Sequence, residues 1–225
     1  MPGTLGDVLR RNLERAGFKG EVQYVNPGHA EIAGRSAFPS VRDLPGPPAD
    51  LAIIATPALT VPDVVSQCGA TGVRGAIVVS AGFRDGREAG RALEAELRLS
   101  ARRAGVRFLG PHSLGVIRTD LGLNAACGPD QPLPGRLALV SESGALCAAM
   151  IDWSRGRRVG FSTVISSGVS ADIGLNEILD FLVHDAATDS IMLYMEGIQD
   201  ARRFMSALRA AARVKPVVVM KSGRH

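Results

Sequence analysis

The feature that most constrains this chain is an alternation. Short apolar runs, rich in Val, Ile and Leu and with little polar interruption, recur at 21–25, 51–55, 76–80, 106–109, 137–141, 161–166, 190–194 and 216–221. Helical patterns precede and separate them at 7–16, 61–71, 86–104, 144–154, 175–183 and 201–213. An unalternated apolar run suits a strand buried on both faces, as in a parallel sheet covered by helices. The strand–helix–strand order predicts an α/β fold of parallel sheets with helices on both faces. The helices are amphipathic: Val61, Val64, Val65 and Cys68 share one face, as do Ala89, Leu93, Leu97 and Ala101.

The segment Gly128-Pro129-Asp130-Gln131-Pro132-Leu133-Pro134-Gly135 is the strongest linker signal. It predicts two α/β domains, 1–128 and 136–225, each large enough to bury a core. Composition narrows the function classes. Net charge is +4 in 225 residues, and 7 Phe, 2 Tyr and 1 Trp offer few bases a stacking partner. The densest basic cluster, Arg155, Arg157 and Arg158, reads as a solvated loop, so no nucleic-acid partner is expected. Three scattered cysteines make neither a disulfide framework nor a zinc site, and no His, Cys, Asp or Glu group has metal-ligand spacing. No apolar run approaches the ~20 residues that span a bilayer, so a cytoplasmic protein without a membrane partner is expected.

In a doubly wound sheet, ligands bind beyond the carboxyl ends of the strands, where helix N-termini offer free N–H groups to anions. The informative turns are therefore Asn26-Pro27-Gly28-His29, Ala55-Thr56-Pro57, Ser80-Ala81-Gly82-Phe83, Gly110-Pro111-His112-Ser113 and Ser141-Glu142-Ser143-Gly144. Each combines small residues, Gly or Pro, and a hydroxyl, amide or imidazole. Ser141-Glu142-Ser143-Gly144 weighs most, because it joins the apolar run 137–140 to a helix and so reads as a phosphate or carboxylate seat. The rival reading, a nucleophile elbow at Ser143, lacks the Gly expected at 141 and a following Asp and His. His29 and His112 stand in ligand-facing turns, His184 near a helix end, and His225 at the last position. At the N-terminus only a G-x-x-G, Gly3 and Gly6, stands where a dinucleotide unit carries a strand and a full glycine fingerprint. That gap, and Asn26 where an acidic residue would end the second strand, count against a dinucleotide-dependent oxidoreductase.

Taken together, the turns resemble the NDP-forming acyl-CoA synthetases, relatives of the succinyl-CoA synthetase alpha subunit. The stretches that carry the resemblance are Tyr24-Val25-Asn26-Pro27, Asp50-Leu51-Ala52-Ile53-Ile54-Ala55-Thr56-Pro57, Val79-Ser80-Ala81-Gly82-Phe83, Gly110-Pro111-His112-Ser113-Leu114-Gly115, Ser141-Glu142-Ser143-Gly144-Ala145-Leu146, Tyr194-Met195-Glu196-Gly197-Ile198 and the run 215–224. The resemblance implies a Rossmann-like CoA-binding domain followed by a flavodoxin-like, succinyl-CoA synthetase-like domain. It implies CoA or acyl-CoA at Gly3, Gly6, Asn26, Pro27, Ala55, Thr56, Pro57, Ser80, Ala81, Gly82, His112 and Ser113. It implies that Ser141, Ser143 and Gly144 support the phosphate of a phosphohistidine, in a reaction that joins an acyl group to CoA at the expense of an NTP.

The sequence also departs from that family. His112-Ser113 stands for Asn-Cys, Glu142 often for Gln, and Gly168-Val169-Ser170-Ala171-Asp172 for Gly-Asn-Lys-Ala-Asp. A carboxylate at Glu142 repels a phosphate unless it points away. The chain begins after the family's first strand, which lies mid-sheet, so that slot is filled by another chain, closed up, or encoded upstream. The phosphohistidine segment and the ATP-grasp half, which brings NTP and Mg, are expected as a further domain or subunit, so this chain alone is not expected to be active. The same module also stands at the front of bacterial lysine acetyltransferases, which makes a ligand-sensing module fused to an acetyltransferase the alternative. A homo-oligomer is compatible with either.

Overall fold

A computed structural model of the chain describes residues 3–83, 88–128 and 131–223. The expected helix start at Gly86, the linker's Pro129 and Asp130, and the terminal Met1, Pro2, Arg224 and His225 lie outside the described residues. In chain order the elements are α1 (Leu5–Ala16), β1 (Tyr24–Val25), β2 (Glu31–Ile32), β3 (Arg35–Phe38), β4 (Leu51–Ile54), α2 (Val61–Ala70), β5 (Gly75–Val78), α3 (Glu88–Ala104) and β6 (Arg107–Leu109). Then follow β7 (Gly115–Arg118), β8 (Leu123–Ala126), β9 (Pro134–Ser141), α4 (Gly144–Gly156), β10 (Phe161–Ser166), α5 (Leu175–His184), β11 (Ser190–Met195), α6 (Ala201–Val214) and β12 (Val217–Lys221). The chain divides into two compact units, one of Met1–Phe18 with Leu109–His225 and one of Lys19–Phe108.

The first unit is built on a six-stranded sheet of order β12-β11-β9-β10-β7-β8. β9 to β12 run parallel, as the apolar runs predict. Alternate residues of each strand feed opposite faces. Ala138, Val140, Ile165, Ile191, Leu193 and Met195 pack with Leu175, Ile178, Leu179 and Leu182 of α5 and with Phe204, Ala207 and Ala211 of α6. Leu139, Phe161, Val164, Ile117 and Ala126 pack with Cys147 and Ile151 of α4 on the other face. The starts of α4 and α6 are capped by side chains, Ser143 for α4, and Asp200, which accepts from the Arg203 N–H, for α6.

The antiparallel hairpin β7–β8, absent from the expectation of all-parallel sheets, extends this sheet through pairing of Val116 with Ile165 and of Ile117 with Val164. The hairpin also carries α1. Asn12, 4% exposed, donates from Nδ2 to the carbonyls of Ala126 and Gly128, both at 2.7 Å. These bonds hold α1, and the β7–β10 pairing holds residues 115–126, to the C-terminal sheet.

The second unit holds a three-stranded sheet β4-β5-β6, against which α2 and α3 are amphipathic. Its buried residues include Val61, Val65 and Cys68 of α2 and Leu93, Leu97 and Ala101 of α3. The face read from the α2 sequence is therefore the buried one. A second small sheet, β1-β3-β2, contains a hairpin turned at Ala33 and Gly34, both at positive φ (52° and 78°). Two successive left-handed residues are what a two-residue hairpin turn requires. β1 and β4 belong to separate sheets. Among the described residues β4 is an end strand, with Leu51 39% exposed.

Candidate functional site

On the first unit the turns that leave β9, β10 and β11 meet at the carboxyl rim of the sheet. Ser141 ends β9 fully buried, and its hydroxyl accepts from the Ser143 N–H (3.0 Å) and donates to the Ser143 carbonyl (2.9 Å). That local turn sets Ser143 as the cap of α4, its Oγ accepting from the Leu146 N–H at 3.3 Å. Two early N–H groups of the helix, those of Gly144 and Ala145, are left by these caps as orphan donors. The first turn of α4 carries no acidic side chain, so the positive end of its dipole is not neutralised from within the helix. A Cβ at Gly144 would lie 3.2 Å from Leu114 Cβ, which keeps this start small.

Glu142 does not point into that seat. Its Oε2 accepts from the N–H groups of Glu196 (2.6 Å) and Gly197 (3.1 Å), and its own N–H donates to the Tyr194 carbonyl. The β10 turn closes the rim from the other side. Gly168 sits at φ 57°, and a Cβ there would lie 2.3 Å from the Pro111 carbonyl oxygen, so only glycine fits. The Val169 N–H donates to the Pro111 carbonyl, the Ala171 N–H to the Gly110 carbonyl, and the Ser167 N–H to the Ser141 carbonyl. Gln199 Nε2 donates to the carbonyls of Val169 and Ser170.

Ser113 is part of this fastening. The residue is 4% exposed; its hydroxyl donates to the Ser166 carbonyl and accepts from the Gly115 N–H at 2.9 Å, while Ser166 Oγ accepts from the Leu114 N–H. His112 is exposed at φ 57° on the turn entered through the cis Gly110–Pro111 peptide. Two buried hydroxyls on the β10 turn, Ser167 and Ser170, have no hydrogen-bond partner. They follow the sequence run Ser166-Ser167-Gly168-Val169-Ser170. A concentration of hydroxyls at a strand's carboxyl end is the signal that locates them.

The second unit presents its own rim. Ser80, 4% exposed, donates from Oγ to the Thr56 carbonyl at 2.6 Å, tying the β5 turn to the β4 turn. Thr56 Oγ1 is buried without a partner. Ala55 is half-buried, and Pro57, Ala81 and Gly82 are exposed. Gly82 adopts φ 103°, and a Cβ there would stand 3.3 Å from Ala58 Cβ. Asn26 Oδ1 accepts from the Gly28 N–H at 2.8 Å, a local turn that leads through the exposed Pro27 to the exposed His29.

Gly3 and Gly6 lie in the other unit, at the start of α1. The helix end there already holds a carboxylate: Asp7 Oδ2 accepts from the Gly3 N–H (3.2 Å), and the Asp7 N–H donates to Thr4 Oγ1. The Arg10 hydrogen bond, followed by that of Gly3, holds the Asp7 carboxyl below the usual range. Of the candidate turns, this one is satisfied by its own side chains.

Thiol chemistry is disfavoured at all three cysteines, Cys68, Cys127 and Cys147. Burial pushes Cys68 and Cys127 up to about 11 and Cys147 up to about 12. Nucleophilic chemistry by cysteine needs the thiolate. His184 closes α5 on the surface. Among the described residues no helix is long and apolar enough to cross a membrane, and no cluster of three His, Cys, Asp or Glu is placed to hold a metal ion.

Two rims of this kind, each assembled from the turns beyond parallel strands, stand where α/β proteins of this architecture bind their ligands. A family model described as a CoA binding domain matches residues 2–119, and one described as a succinyl-CoA ligase like flavodoxin domain matches residues 134–225. The chain belongs to the NDP-forming acyl-CoA synthetase family, whose CoA-binding and ligase-like domains it carries.

The chain is 44% identical over 222 residues to ADP-forming acetate–CoA ligase I of Archaeoglobus fulgidus, covering 99% of this chain and 32% of that protein. It is 40% identical to the alpha subunit of ADP-forming acetate–CoA ligase I of Pyrococcus furiosus, covering 99% of this chain and 49% of that subunit. The dinucleotide-forming acetyl-coenzyme A synthetase 1 of Ca. Korarchaeum cryptofilum, solved with phosphate and ADP, superposes with a TM-score of 0.94 at 36% identity. That match covers 100% of this chain and 48% of the other. The chain thus spans a third to a half of the relatives it matches.

Proposed function

We propose that this chain is the CoA-binding and ligase-like part of an ADP-forming acyl-CoA synthetase. In this reading residues 1–128 are the CoA-binding domain and 136–225 the ligase-like domain, a division that the family-model boundaries support. CoA lies on the rim formed by Asn26, Pro27, Ala55, Thr56, Pro57, Ser80, Ala81 and Gly82, where Thr56 Oγ1 offers an unused hydroxyl. The start of α4, with Ser141, Ser143 and Gly144, seats a phosphoryl group carried on a histidine of the complete ligase. NTP and Mg are handled by an ATP-grasp domain or subunit, and the protein works in the cytoplasm. Ser113 contributes by fastening the rim around the α4 start rather than by touching CoA, and Gly3 supports the fold of α1.

The observation that carries this reading is the α4 start. A serine-capped helix with orphan N–H groups stands at the carboxyl end of a central parallel strand, in a chain 99% of which aligns with part of an acetate–CoA ligase. Anion affinity at such a position is intrinsic to helix ends. The test is calorimetry of the folded protein with CoA and with dephospho-CoA. Heat with CoA, weakened when the 3′-phosphate is missing, is expected. A folded protein that gives no heat at millimolar CoA refutes the reading. An acetyltransferase domain encoded in the same gene would turn the assignment to the ligand-sensing module, with the same CoA result.

A further inference from the structure

We propose that Glu142 is a positioning residue: its carboxylate is the resident ligand of a second anion nest on the rim, formed by the N–H groups of Glu196 and Gly197. The proposal rests on the reading of the α4 start as a phosphoryl seat and explains how that seat tolerates a carboxylate as neighbour. Two successive backbone N–H groups directed at one oxygen form an anion-binding concavity. Here both donate to Glu142 Oε2, at 2.6 and 3.1 Å. The third bond, from the Glu142 N–H to the Tyr194 carbonyl, fixes the same residue to the end of β11. The carboxylate is thereby held by donors instead of facing the orphan N–H groups of Gly144 and Ala145.

The turn that Glu142 holds has a second task. Gln199 lies two residues beyond Gly197 and donates to the carbonyls of Val169 and Ser170. Those carbonyls belong to the β10 turn, which carries the unpartnered hydroxyls of Ser167 and Ser170. Glu142 therefore joins the β9 turn to the β11 turn, and Gln199 joins the β11 turn to the β10 turn. By filling the nest, Glu142 removes a competing anion seat and keeps the rim in one arrangement around the α4 start. Glutamine at this position keeps an oxygen acceptor for the nest but not the charge; alanine keeps neither.

The test uses inorganic phosphate as the probe and amide resonances as the readout, on the wild type, Glu142→Gln and Glu142→Ala. In the wild type, phosphate moves the resonances of Gly144 and Ala145 and leaves those of Glu196 and Gly197 in place. In Glu142→Ala, hydrogen exchange at Glu196 and Gly197 accelerates by about tenfold or more, the factor carried by a hydrogen bond to a charged group. Phosphate then binds the emptied nest, shifts those two amides and restores their protection. Glu142→Gln keeps the slow exchange and binds phosphate more tightly at Gly144 and Ala145, because a like charge has gone. Unchanged exchange in Glu142→Ala, or accelerated exchange that phosphate does not reverse, overturns the nest assignment. Wild-type protein whose Gly144 and Ala145 resonances ignore phosphate refutes the phosphoryl seat instead. In that case the exchange rates in Glu142→Ala still decide the nest assignment.

Discussion

Replacing Ser113 with alanine separates a structural hydroxyl from a ligand-binding one. The Ser113 hydroxyl serves two buried groups, the Ser166 carbonyl and the Gly115 N–H. Ser166 is 0% exposed and Gly115 is buried, so water cannot replace the lost oxygen without opening the rim. A buried polar group stripped of its partner costs about 1–3 kcal/mol. Two such groups, sharing one deletion, give about 2–4 kcal/mol. For a chain of this size about 1 kcal/mol shifts the melting midpoint by about 2–4 °C, so the variant should melt about 4–16 °C lower. Urea unfolding followed by circular dichroism measures the loss, and calorimetry at low temperature measures CoA binding by the folded variant. The reasoning expects a large stability loss with CoA affinity within about twofold of wild type, since no ligand bond is removed. A stability loss below about 1 kcal/mol would refute the assigned hydrogen-bond role. A tenfold loss of CoA affinity at unchanged stability would return Ser113 to the ligand.

Two further perturbations probe the first unit. Asn12→Ala removes both donations that fasten α1 to the β8 end, leaving the carbonyls of Ala126 and Gly128 without that partner. It should cost about 2–4 kcal/mol in urea unfolding, and Asn12→Asp should cost more at neutral pH because a carboxylate cannot donate. Asp120→Asn tests pH linkage. The Arg118 guanidinium donates to both Asp120 oxygens and holds that carboxyl below its ordinary value of 3.8. A carboxyl depressed in the folded state stabilises fully above its unfolded value, and that gain is lost as pH falls through the folded value. With Asp120 40% exposed, solvent screening limits the gain to about 0.2–1 kcal/mol. The urea midpoints of wild type and Asp120→Asn should therefore differ at pH 7 and converge below 3.8.

The parallel core was legible because its signal is local. Runs such as 137–141 and 190–194 have no polar face to leave, and they became β9 and β11. The hairpins were not legible for the opposite reason. β7 and β8 pair through Gly115–Val116–Ile117–Arg118 and Leu123–Asn124–Ala125–Ala126, segments whose pattern is weak until the β10 edge is present to cover one side. β2 and β3 are too short to carry periodicity, and their signal lies in Ala33-Gly34, where alanine conceals a left-handed turn. The site divided along similar lines. Ser141, Ser143 and Gly144 announced a helix start because their spacing is a cap. The inward role of Ser113 and the turning of Glu142 toward Glu196 and Gly197 depend on partners 53 and 54 to 55 residues away, which no local pattern encodes.

Thr56 is where the CoA proposal and the stability of the fold oppose one another. Its carbonyl is engaged, accepting from Ser80 Oγ at 2.6 Å, while its hydroxyl is buried with no partner. In proteins a hydroxyl buried in that state costs about 1–3 kcal/mol. Valine replaces the hydroxyl by a methyl of nearly the same shape and removes the unpaired group. Thr56→Val should therefore raise the stability of the ligand-free protein by about 0.5–2 kcal/mol, the trade typical of a site residue kept for binding. If the hydroxyl bonds CoA, the same change should weaken CoA by about 2- to 12-fold, the worth of one neutral hydrogen bond. The two effects have opposite signs, so general loosening of the fold cannot imitate them. A variant less stable than wild type would mean that the hydroxyl finds a partner within the protein. A variant more stable but unchanged toward CoA would place the ligand elsewhere and remove Thr56 from the site.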